Sequence, residues 1–196
     1  MPNTTNLVNT PQIRIEGELI PDLEFDALID LRVSTELGVP AEARLRLSDD
    51  DFALVDSSRY VVGKQLEIRF DNESGVPVTV FKGEVVGVGV DQEAGEVARG
   101  VLTVTALDKS HRLSHETKVR TFQKMKYSEV VSQIAGEHGL RADVEDSTIK
   151  FDYLIQTTTN HAFIQELAFR AGFEWGVADD KLRFKKRVHG APVAKV

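Results

Sequence analysis

The chain has five histidines and no cysteine, so any metal chemistry must rest on imidazole and carboxylate. Disulfides and thiolate sites are excluded. His111 and His115 lie four apart and would share a helix face, as zinc ligands do. The segment HRLSHE is not H-E-x-x-H, because Glu116 follows the second histidine. A third ligand would have to come from His138, His161, His189 or a distant carboxylate. The pair reads instead as part of a solvated polar connector, and no metal site is expected.

Carboxylates are plentiful: Asp49-Asp50-Asp51, Glu166, Glu174 and Asp179-Asp180. A glycosidase holds two of them about 5–9 Å apart across a cleft, one with a raised pKa. Most here fall in loops or on polar faces, where both would be ionised. The glycines of GEVVGVG do not fit G-x-G-x-x-G and no helix follows them, so a nucleotide cradle is not expected. Ser58, Ser110 and Ser114 lack a G-x-S-x-G elbow. Phe81, Tyr153 and Trp175 could line a sugar groove, although single aromatics on strands are usually core. No catalytic or cofactor-binding residues are assigned, and the chain is not expected to be an enzyme.

The elements that would position any site follow from periodicity. At 196 residues, 41% apolar and 28% charged, the chain has an ordinary globular composition. A net charge of −7 argues against nucleic acid or an anionic membrane as partner. Lys185-Lys186-Arg187 reads as a solvated strand end. The N-terminus lacks a basic region and an apolar stretch, so no signal peptide is expected. No apolar run nears the ~20 residues a membrane span needs.

After a polar lead-in through residue 11, residues alternate with period two. Ile13, Ile15 and Leu19; Ile29, Leu31 and Val33; Ala43, Leu45 and Leu47; Leu66, Ile68 and Phe70 each alternate with polar neighbours. This pattern suits antiparallel strands with one buried face. Ser48 to Arg59 reads as a loop with one helical turn, Asp71 to Gly75 as a hairpin loop, and Asp91 to Gly95 as a second acidic loop. Val78–Val90 is a long strand whose Gly83, Gly87 and Gly89 point to a bulge or sharp coiling. With Val101–Leu107 this makes six or seven strands, read as an antiparallel β-barrel over residues 1–115.

Past Leu107 the pattern changes. A basic connector leads to Ser128, read as a helix N-cap, and to the stripe Val130, Val131, Ile134, Ala135. His138 falls in the last turn and Gly139 at the C′ position. Strands Arg141–Val144 and Ile149–Gln156 follow. Thr159 caps a second helix with the stripe Phe163, Ile164, Leu167, Ala168, Ala171, stopped by Gly172. Asp179-Asp180 then turns a hairpin between Trp175 and Leu182. Ile134, Ala135 and Gly139 match Leu167, Ala168 and Gly172 at an offset of 33. A helix–glycine–strand unit therefore occurs twice, read as two halves of a small α+β domain over residues 116–196, sharing one sheet. The fold class is α+β.

The run from Leu102 to Leu140, with Asp108, Arg112, Phe122, Ser128, Val130, Val131, Ile134, Ala135, His138, Gly139 and Leu140, resembles the hub proteins of contractile injection machines. These are the late control protein D of contractile phages and the N-terminal hub region of VgrG-like spike proteins. A second signature of that family is a glutamine, a Ser-Asp pair, Phe-Leu, Leu-Ala and a glycine. Gln156, Thr159, Asn160, Phe163, Ile164, Leu167, Ala168 and Gly172 stand in those places, Thr-Asn replacing Ser-Asp. The likeness runs from about Phe81 to Phe184.

The resemblance implies a structural baseplate hub that joins the tail tube to the central spike as a homotrimer. Its partners would be tube, spike and baseplate proteins, as in phage tails and type VI secretion. It would be made in the cytoplasm and end in a virion or secreted particle. Asp108, Ser128, Ile134, Ala135, Gly139, Gln156, Thr159, Phe163, Leu167, Ala168 and Gly172 would be residues of architecture. In the family a second barrel is completed further along the chain, so residues 116–196 would begin that module. A cell-wall carbohydrate-binding module, with LysM-like helix–strand units and no catalysis, is the alternative reading.

Overall fold

The computed structural model describes residues 10–72, 74–93 and 99–187. The start of the lead-in, Glu73, Ala94-Gly95 and His189 lie outside these. The first half of the chain is antiparallel sheet. Its strands are β1 (Gln12–Ile15), β2 (Glu18–Leu19), β3 (Leu28–Glu36), β4 (Val39–Ser48), β5 (Gln65–Asp71), β6 (Pro77–Glu93) and β7 (Arg99–Leu107). They lie in the order β2-β1-β5-β6-β7-β4-β3. Alternation sets the faces: Ala41, Ala43, Leu45 and Leu47 of β4 are buried, whereas Arg44 between them is exposed.

Pairing ends at β2 and β3, so hydrogen bonds do not close a barrel among the described residues. β2 has two residues and stops just before Pro21, whose missing N–H cannot extend a ladder. The sheet nevertheless coils over its own apolar face. One hydrophobic cluster takes Ile13 and Ile15 from one end and reaches Leu28, Leu31 and Val33 at the other. β6 supplies the curvature. Its register shifts at Val85/Gly87 against β7 and again opposite Ile68/Arg69 of β5. Gly83 is there because a Cβ would overlap the Leu107 carbonyl and the Phe81 ring.

Two short elements interrupt the sheet. A five-residue helix, α1 (Asp22–Asp26), was not expected, since one turn is too short to show a period. The loop after β4 has the expected single turn, with Asp56 N–H donating to the Phe52 carbonyl at 3.2 Å. Both Asp49 carboxylate oxygens hold it, accepting from Leu54 and Val55 N–H at 2.8 and 2.9 Å.

The second half begins with a 3-10 helix, Lys109–Ser114. Then come β8 (Arg120–Lys126), α2 (Tyr127–Glu137), β9 (Arg141–Val144), β10 (Lys150–Gln156), α3 (Asn160–Ala171), β11 (Phe173–Ala178) and β12 (Lys181–Lys186). The expected basic connector is thus largely ordered secondary structure. β8 forms because Phe122 points into the core between Thr121 and Gln123, which are exposed. The repeated unit is strand–helix–strand: β8-α2-β9 and β10-α3-β11, with helix starts 33 residues apart. The expected shared sheet is instead two. β8 pairs with β10 antiparallel, while β12 lies between β11 and β9, antiparallel to one and parallel to the other. What the units share is a core, in which Val130, Val131, Ile134 and Ala135 of α2 meet Phe163, Ile164, Leu167 and Ala168 of α3.

The helix ends are set by side chains and left-handed residues. Thr159 caps α3 as expected, accepting from Ala162 N–H at 3.2 Å. Gly172 ends it at φ +67°. After α2, Gly139 has φ +66°, and Leu140 N–H reaches the Ala135 carbonyl at 2.9 Å, closing a Schellman turn. Ser128 is not the N-cap of α2. That position is Lys126, whose N–H donates to Glu129 at 2.7 Å. β8 runs straight into the helix, so its start lies two residues earlier than the serine indicates.

Candidate functional site, a polar junction between two cores

β7 ends at Leu107, and the next residue, Asp108, is buried. One carboxylate oxygen accepts from Ala41 N–H at 2.8 Å, fastening it to β4. The other accepts from Ser110 N–H at 2.7 Å and Ser110 Oγ at 2.5 Å, starting the 3-10 helix. Leu113 in that helix is buried in the second core. Asp108 therefore fixes the direction in which the chain passes from one core to the other.

Three further contacts lock the junction. Asp180 at the β11–β12 turn pairs with Lys82 of β6 at 2.8 Å and with Lys109 at 3.0 Å. Burial pushes the Asp180 carboxyl up, but the two lysine hydrogen bonds outweigh it and leave its pKa below normal. The hydrogen bond that Lys82 donates to Asp180, assisted by the Asp180 charge, raises Lys82 despite some burial. His161 of α3 meets the Gly38 carbonyl in the β3–β4 turn at 2.9 Å. Gln165, one turn on, accepts from Trp175 Nε1 at 2.7 Å, and its amide fills the space a Cβ on Gly38 would need.

Behind the junction lies a buried amide network. Gln156 is fully buried and Asn160 nearly so. Arg120 Nε donates to Gln156 Oε1 at 2.8 Å, and its terminal nitrogens reach Asn160 Oδ1 at 3.1 Å and Glu137 at 2.7 Å. Gln156 Nε2 donates to the Thr158 carbonyl and to Asn160 Oδ1, both at 2.9 Å. Asn160 Nδ2 meets His138 Nε2 at 2.7 Å. Burial acts to raise Glu137, but hydrogen bonds from Arg120 and Gln133 leave its carboxyl below the usual range. Burial lowers His138, and Lys118 lowers it further.

This network borders a cavity of about 400 Å³ whose walls include Glu84, His111, Arg112, His115, Lys118 and His138. Arg112 grips Glu84 through two guanidinium nitrogens. His111 Nδ1 lies 2.6 Å from the Asp108 carbonyl, and its Nε2 is 3.9 Å from Glu84. The His111 and His115 rings are 5.1 Å apart, edge to face, on the 3-10 turn. Among the described residues, no group of three or more His, Asp or Glu is placed to hold a metal ion.

The structure disperses the remaining chemical candidates. Asp49 caps a loop, Glu166 pairs with Arg170 on its own helix, and Glu174 faces Arg187 at 3.9 Å. Asp179 and Asp180 form the hairpin turn with φ of +51° and +57°. The β6 glycines lie inside a strand. Phe81 is in the first core, Trp175 in the second, and Tyr153 is exposed, so the three do not line one groove. Lys185 pairs with Asp143 at 2.7 Å.

The motif residues divide by role. Ile134, Ala135, Phe163, Leu167 and Ala168 are core; Gly139, Gly172 and Thr159 end helices; Asp108 and Gln156 are buried polar anchors. Ser128 is buried, and its Oγ is 3.3 Å from Asp146, joining α2 to the loop before β10. Sequence reasoning did not find Arg120, Glu84 or Lys82 as anchors. Nothing in a single sequence separates them from the chain's other charged residues.

A family model described as the Alg8 N-terminal domain matches residues 5–196. The chain belongs to the Alg8 N-terminal domain family. No curated protein matches it. Among solved structures, the domain is similar to the 43 kDa tail protein of prophage MuSo2 from Shewanella oneidensis, with TM-score 0.69 and 13% identity, over 90% of this chain and 53% of that one. It is also similar to a tail protein of Neisseria meningitidis MC58, with TM-score 0.63 and 13% identity, over 93% and 52%. A third neighbour is the E. coli c3393 protein, described as a component of the type VI secretion system, with TM-score 0.58 and 14% identity, over 88% and 48%. The chain spans about half the length of these neighbours, with which it shares a fold.

Proposed function

We propose that this domain is a structural hub component at the tip of a phage-like contractile tail or injection system, where it joins tube to spike as a homotrimer. The observation that carries the reading is a fold shared over 90% of the chain with a prophage tail protein. The likeness to a type VI secretion component and the motif order seen in the sequence support it. On this reading residues 1–115 are one hub module and residues 116–196 begin a second, and the polar junction sets the angle between them. The eleven motif residues hold architecture, with no catalysis and no cofactor. The protein assembles in the cytoplasm and leaves as part of a virion or secreted particle, in contact with tube, spike and baseplate proteins.

Light scattering on the purified protein tests this, together with a pulldown using a tail tube protein. Threefold association and tube capture are expected. A strict monomer that fails to bind tube protein overturns the reading. Retention on peptidoglycan under the same conditions would favour the cell-wall module instead.

A further inference from the structure

The hydrogen-bond network fixes the protonation state of one histidine without reference to any pKa. The Thr158 carbonyl can only accept, and Arg120 can only donate. Gln156 must therefore aim its NH2 at Thr158 and its oxygen at Arg120. That same NH2, with Arg120, points at one atom of Asn160, which must be the carbonyl oxygen. The Asn160 NH2 is then left facing His138 Nε2 at 2.7 Å. A donor there requires a bare Nε2, so His138 is neutral with its proton on Nδ1. A second proton would set N–H against N–H across that contact.

His138 is the C-cap of α2 and Asn160 is the first residue of α3, so this bond ties one strand–helix–strand unit to the other. We propose that the His138–Asn160 contact is an acid-sensitive latch, closed near neutral pH and released when His138 takes a second proton.

The surroundings decide how readily this happens. Lys118 before β8, Arg120 on β8 and Arg112 on the 3-10 helix all disfavour a further positive charge. Glu137 on α2 favours it, as does the negative end of the α2 dipole. Glu137 is, however, held by Arg120 and Lys118, and Glu84 on β6 by Arg112. His111, His115 and Glu116 also line the cavity. No carboxylate is thus left unpaired beside the imidazole among these groups except Glu116. Release adds a positive charge to a cavity that Arg112 and Lys118 line together with Glu84 and Glu116.

Long-range proton–nitrogen NMR of the intact protein tests the latch. At pH 7.5 the expected state is the Nδ1–H tautomer, and His138 is expected to titrate below the ordinary value of 6.5. The unfolded chain then takes up the proton first, so Tm is expected to fall from pH 7 to pH 5. His138→Gln keeps an acceptor for Asn160 at every pH and is expected to lose less Tm over that range. An Nε2–H tautomer, a midpoint at or above that of free histidine, or equal Tm loss in the variant overturns the proposal. If His138→Gln does not fold, the tautomer and midpoint of the wild-type protein decide alone.

Discussion

Gln156 shows how a single buried side chain can carry a junction. It has no exposed surface, and its oxygen and nitrogen are both bonded in the interior. Replacing it by alanine leaves half-buried Arg120 and buried Asn160 each short of a partner. That costs more than the net worth of a bond, because the desolvation of the orphaned groups is no longer offset. Gln156→Ala is expected to lose about 2–3 kcal/mol in denaturant unfolding. Asp108→Ala strips the partner from two N–H groups and a hydroxyl, and about 3 kcal/mol is expected by the same measurement. An unchanged midpoint in either variant would show that the network relaxes around the loss.

At the scale of elements, the strand–helix–strand unit depends on where its helices stop. Gly139 and Gly172 have left-handed φ, and a Cβ at either would meet nothing within 4 Å. The cost of alanine there is conformational alone, about 1 kcal/mol each in thermal or chemical unfolding. Gly83→Ala in β6 is a different case, since its Cβ would overlap the Leu107 carbonyl, which is backbone and cannot move aside. About 3 kcal/mol is expected, read as a fall in the unfolding midpoint. The ordering of these three glycines separates strain in φ from a steric overlap. Both terminating glycines were legible in the sequence because each follows an apolar stripe. β8 was less so, since a basic strand with one inward phenylalanine looks like a linker until its partner β10 is known.

For the whole molecule, Asp180 between Lys82 and Lys109 is one of the ties that set the relation of the two cores. Asp180 has a lowered pKa, so its contribution is present above the ordinary value of 3.8 and is lost as pH falls further. Lys82 is raised, so its contribution is present below 10.5 and is lost as pH rises through its folded value. Asp180→Asn is expected to cost about 1 kcal/mol between those limits, less in high salt, with the two variant and wild-type curves converging in acid. Thermal melts at pH 7 and in series carried toward acid and toward alkali check this. A difference that stays constant through both series would place the effect in packing instead. The proposed trimer belongs to this scale too, and sedimentation as a single threefold species is the readout.

The sequence by itself determined most of the strands of the first half, the two helices with their glycine stops, the Thr159 cap and the internal repeat, because each depends on local periodicity or on one residue's φ. Thr159, Gly172 and the Asp179-Asp180 turn are such local facts. Only the tertiary structure decided that the first sheet coils without closing, and that the repeated units share a core across two separate sheets. It also decided which charges are structural. Arg120, Glu84 and Lys82 look like any solvated residue in sequence, and their partners lie 36, 28 and 98 positions away. Contacts at that separation are set by the path of the whole chain, which no local pattern records.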